Sequence, residues 1–68
     1  MGLIPADRQR KIIDLIHTDK VVQVQDLSDR FDVSVLTIRR DLDYLASQGL
    51  VERTHGGATL RRSLPVEP

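Results

Sequence analysis

The chain has 68 residues, no cysteine and a formal net charge of zero, ten basic side chains standing against ten acidic ones. Its length implies one small domain that buries only about 60% of its unfolded surface. No disulfide framework or cysteine-based metal site can brace it, and the N-terminus lacks the apolar run of a signal peptide or a membrane span. Two histidines far apart, His17 and His55, make no case for a metal. Met1-Gly2 is not a myristoylation signal, because Ala6 stands where that motif wants Ser or Thr. The lack of disulfides fits a reducing compartment, so a cytoplasmic location with no membrane partner is expected.

The first helix is predicted over 6–18. Pro5 suits a helix start, and Asp7 in the first turn suits the positive end of the dipole. Ile12, Ile13, Leu15 and Ile16 form the apolar stripe, with Arg8, Gln9, Lys11 and Asp14 mostly outside it. Val21 and Val22 suffice for a very short strand. A second helix follows over 24–31, where Val24, Leu27 and Phe31 repeat at three and four residues. Asp32-Val33-Ser34 is a tight connection, since Asp tolerates unusual backbone angles and Ser is a good N-cap. The third helix is predicted over 35–48, with Ile38, Leu42 and Leu45 inward and Gly49 as its stop. Leu50 to Thr54 then alternates, His55-Gly56-Gly57 reads as a turn, and Ala58-Thr59-Leu60 can return as a second strand. The predicted fold is mainly α with a small β-hairpin, a winged helix-turn-helix of three helices and a two-stranded wing. Residues 1–5 read as a lead, 6–60 as the domain and 61–68 as a linker.

The zero net charge hides an asymmetry. Asp14, Asp19, Asp26, Asp29 and Asp32 outnumber Lys20 and Arg30 in the middle of the chain. From 33 to 62, Arg39, Arg40, Arg53, Arg61 and Arg62 outnumber Asp41, Asp43 and Glu52. Such a distribution leaves one face attractive to phosphate. On a wheel of about 100° per residue, Leu36, Arg40, Asp43 and Ser47 lie opposite the apolar arc, with Thr37 and Arg39 on its two flanks. This is either a solvated face, with Arg39 and Asp43 as an ordinary i,i+4 pair, or a surface that meets a ligand. An exposed Leu36 beside Val35 and Thr37 at the N-terminal turn favours the ligand, because that is the part of a recognition helix that reaches base edges and thymine methyls. Arginine would supply charge for phosphate or a fork for guanine. Ser34 would cap the helix beside amides able to take a phosphate oxygen.

Asp41 falls about 60° from Ile38, at the core's edge. It either anchors the helix through a basic partner, Arg53 or a base of the first helix, or is a surface acid without a fixed partner. Arg8, Arg10 and Lys11 are either a solvated face or contacts to flanking phosphate. Arg53, Thr54, His55, Gly56 and Gly57 would form the wing's approach, the paired glycines allowing positive φ and close passage of backbone to phosphate; alternatively they are a flexible hairpin tip. His-Gly-Gly also looks like part of a hydrolase oxyanion loop, but no G-x-S-x-G elbow accompanies it. No nucleophile–base pair or carboxylate dyad stands out, so an enzyme is not expected.

Residues 27–60, "LSDRFDVSVLTIRRDLDYLASQGLVERTHGGATL", resemble the N-terminal DNA-binding domain of the DeoR family of bacterial transcriptional regulators. Leu27, Arg30, Phe31, Val33, Ser34, Thr37, Ile38, Arg39, Arg40, Asp41, Leu42, Leu45, Gly49, Leu50, His55, Gly56 and Gly57 carry the likeness, which extends from about Arg8 to Leu60. The resemblance implies operator binding by a repressor, often of sugar or nucleoside catabolism. It also implies a C-terminal effector domain beyond this chain that takes a phosphorylated sugar and drives homo-oligomerisation. Ser34, Val35, Leu36, Thr37, Arg39, Arg40, Arg53, Thr54, His55, Gly56 and Gly57 are the expected DNA contacts, and no cofactor is expected. The chain departs from the family at Lys20 and Gln23, which predicts lower local stability there, and at Asp32, which is tolerable in place of a frequent Gly; none of these changes touches the expected DNA face. A winged helix that binds a protein partner is the alternative, which zero net charge slightly favours.

Overall fold

The computed structural model describes residues 4–61. Its elements run α1 (Pro5–Asp19), β1 (Val21–Gln23), α2 (Val24–Phe31), α3 (Val35–Ser47), β2 (Val51–Thr54) and β3 (Gly57–Leu60). The expected lead and linker lie mostly outside the described residues. Pro5 occupies the first helical position of α1, where a missing N–H costs nothing because that amide has no intrahelical acceptor. Among the described residues no helix is long and apolar enough to cross a membrane.

Ile12 and Ile16 of α1, Leu27 of α2, and Ile38 and Leu42 of α3 are the largest fully buried side chains. Val22, Val24, Leu45, Val51 and Ala58 complete the core. Each helix therefore contributes one stripe at three- and four-residue spacing, and the sheet contributes one residue from each strand. Burying one such aliphatic side chain stabilises by about 1.5–3 kcal/mol.

Three backbone reversals position α3. Lys20 ends α1 in the left-handed region at φ 74°, its amide donating to Ile16 O at 2.8 Å. Asp32 ends α2 likewise at φ 54°. These are the two positions where the chain lacks an expected glycine, and a non-glycine residue there costs about 1–2 kcal/mol. Gln23 precedes α2 without a side-chain cap. The Ser28 hydroxyl donates to Val33 O at 2.6 Å and so closes the turn between α2 and α3. At the other end of α3, Gly49 takes φ 76°. Leu50 N donates to Leu45 O at 3.0 Å and Gly49 N to Ala46 O at 2.9 Å, a Schellman closure.

The expected two-stranded wing is present as β2 and β3, and the predicted short strand β1 joins it in one sheet. Its order is β1-β3-β2, all antiparallel, with Val21, Val22 and Gln23 opposite Thr59, Ala58 and Gly57. A three-residue strand carries too little pattern to name a partner so far along the chain. The extra strand stitches the wing to the segment between α1 and α2. Val24 N, at the start of α2, also donates to Gly56 O at the wing tip at 2.8 Å, which satisfies one of the first-turn amides that have no intrahelical acceptor.

Candidate nucleic-acid interface

Ile38, Leu42 and Leu45 lock one side of α3 into the core, so its opposite side must face outward. Leu36 is 55% exposed, and Arg39 and Arg40 are exposed. Val35 and Thr37 are half-buried beside them. Ser34 caps the helix as expected: its Oγ accepts from Thr37 N at 3.1 Å and its hydroxyl lies 3.0 Å from Thr37 Oγ1. Ile38 N goes to Ser34 O at 3.1 Å. The helix itself offers no acceptor to the amides of Val35 and Leu36, which remain the first-turn donors for an outside group.

Asp41 resolves to an anchor, and the base comes from α1. It is buried at 4% exposure, with Arg8 at 6%. Arg8 Nε donates to Asp41 Oδ2, Arg8 Nη2 donates to Oδ1 at 3.1 Å, and Gln9 Nε2 donates to the same Oδ1 at 3.1 Å. This is a fork-on-carboxylate pair with an amide added. Hydrogen bonding to Asp41 raises the Arg8 pKa above its ordinary value despite burial, and the carboxylate's charge adds to the rise. Arg8 is thus not at hand for flanking phosphate, whereas Arg10 and Lys11 are exposed. Sequence spacing could not find Gln9, whose role depends on α1 crossing α3 beside it.

The wing residues separate. Thr54, His55 and Gly56 are exposed, and Gly56 has φ 92° with open space around it. Gly57 is buried, and a Cβ there would overlap the carbonyl oxygen of Val22. The expectation of two glycines freeing the tip therefore holds for Gly56 alone; Gly57 is small because β1 passes against it. Arg53 is half-buried and turned back, its Nε donating to Asp43 Oδ1 at 2.8 Å. Asp43 thus pairs with Arg53 of the wing, which the hairpin brings alongside α3, and not with Arg39. Tyr44, 51% exposed one turn beyond Arg40, continues the outward side of α3; its i,i+4 spacing from Arg40 was the available signal. Among the described residues no group of acidic, histidine or cysteine side chains could hold a metal ion.

An outward helix with paired arginines, capped by serine, beside an exposed hairpin tip, is an arrangement suited to a duplex groove. The family model of the DeoR-like helix-turn-helix domain matches residues 8–63. The chain is 46% identical over 56 residues to the HTH-type transcriptional regulator GlpR of Haloferax volcanii, covering 82% of this chain and 22% of that protein. The lactose phosphotransferase system repressor of Lactococcus lactis is 45% identical over 56 residues, with the same 82% and 22% coverage. The glycerol-3-phosphate regulon repressor of Escherichia coli is 46% identical over 56 residues, again covering 82% and 22%. The chain thus spans about a fifth of the length of these relatives, which are regulators by name and not enzymes. No solved structure matches it. With the matched residues spanning every element of the fold, the chain belongs to the DeoR-like helix-turn-helix domain family.

Proposed function

We propose that this chain is the DNA-binding part of a transcriptional repressor of a sugar or nucleoside catabolic operon, acting in the cytoplasm. α3 enters the major groove, with Leu36 and Thr37 at base edges, Arg39 and Arg40 at phosphate or guanine, and Ser34 and Val35 at the helix start. Thr54, His55 and Gly56 approach the neighbouring minor groove. The observation that carries the reading is the outward projection of Leu36, Arg39 and Arg40 from a helix whose other side is buried. Support for the repressor role and the type of operon comes from relatives named for repression of a lactose phosphotransferase system and a glycerol-3-phosphate regulon. In the longer protein, a homo-oligomer on spaced half-sites with a sugar-phosphate effector fits that reading.

The test compares Arg39→Ala and Arg40→Ala on a duplex selected from random-sequence DNA and on unselected duplex. A base-reading arginine costs about 1–3 kcal/mol on the selected site and relaxes one position, whereas a phosphate contact weakens all sequences alike and lowers the salt slope by about one. No loss from either substitution, or binding indifferent to salt, defeats the assignment. Salt indifference would favour a protein partner instead.

A further inference from the structure

Arg53 stands between the recognition helix and the wing, and it is tied to both. Its Nε donates to Asp43 Oδ1 on α3 at 2.8 Å, and its Nη1 donates to Thr54 O at 3.1 Å and to Gly57 O. Thr54 and Gly57 are the register pair that closes the hairpin just before the His55-Gly56 tip. One guanidinium therefore gathers a carboxylate on the outward side of α3 and both carbonyls at the neck of the wing. Its N–H donors point in fixed, coplanar directions, so serving three acceptors at once sets the neck's orientation, which a rotatable ammonium cannot do. The side chains of Arg53 and Asp43 are 28% and 67% exposed, and an ion pair so open to solvent contributes little to stability. Its consequence is geometric.

Resting on the DNA-binding reading above, we infer that Arg53 is a positioning residue that clips the wing to the recognition helix through Asp43, and not a phosphate ligand itself. The clip holds His55 and Gly56 at a set offset from Arg40.

A double-mutant cycle tests this, using the 68-residue chain, a duplex it selects from a random-sequence pool, and a salt series. Arg53→Met is expected to weaken the selected duplex about tenfold without changing the salt slope; in an Asp43→Ala background, where no side-chain acceptor remains, it costs less than about threefold, because the clip is already open. Arg53→Lys, which keeps the charge and loses the fork, behaves like Arg53→Met. The backbone amide NMR signals of His55 and Gly56 shift in each single variant while those of α1 hold. A phosphate ligand gives the opposite pattern: the slope falls by about one, lysine rescues, and the loss grows once Asp43 no longer restrains the arginine. That pattern overturns the clip, as do unmoved wing signals or a general loss of the α1 signals. An unaltered chain that binds no duplex at low salt is a separate result, the failure of the DNA-binding reading itself.

Discussion

Asp41 and Asp43 lie two residues apart on α3 and meet opposite surroundings. Asp41 turns inward, closed over by Arg8 and Gln9 at 4% exposure. Asp43 turns outward, its side chain 67% exposed, and reaches Arg53 of the wing. Both carboxylates accept from an arginine Nε, but Asp41 accepts two further bonds, from Arg8 Nη2 and Gln9 Nε2, and lies in the lower dielectric. Removing one partner of a buried pair strands an uncompensated charge, whereas an exposed pair competes with water and salt on nearly equal terms. α3 is thus held to α1 by an interaction that stability depends on, and to the wing by one that orients.

Asp41→Asn should break the contrast most severely. It leaves the Arg8 charge buried and should cost about 3–5 kcal/mol in urea or thermal unfolding, comparable with everything a domain this small holds in reserve. An unchanged midpoint would mean the pair is not an anchor. Gly57→Ala tests whether the wing depends on backbone proximity more than on charge: with Val22 O against the new methyl, a loss of about 1–3 kcal/mol is expected. Asp43→Asn sharpens the comparison from the other side, with a stability change within about 1 kcal/mol. A cost matching that of Asp41→Asn would erase the distinction between the two acids.

The helices were legible because each carries a repeated apolar stripe; Ser34 and Gly49 acted where their chemistry placed them. The same wheel put Leu36, Arg39 and Arg40 outward and Asp41 at the core's edge. It could narrow Asp41's partner only to Arg53 or a base of the first helix, since the choice depends on a crossing between residues 33 apart. The contact of Arg53 with Asp43 was out of reach for a related reason. The arginine's type suggests phosphate, but its environment is created by a hairpin folding back on α3, and no local pattern encodes that. The glycine pair shows the limit most plainly: adjacent and identical in sequence, one is exposed at a tight tip and the other packed beneath a strand that the chain leaves much earlier.

The central strand of the sheet is the one synthesised last. β1 and β2 have no ladder with each other and are joined only through β3. Until residues 57–60 have left the ribosome, the valines of β1 lack their partner and the start of α2 lacks the Gly56 carbonyl. Completion of this domain during translation is therefore a single late event: helices that emerge earlier wait, marginal and incompletely covered, for a four-residue strand to close over them.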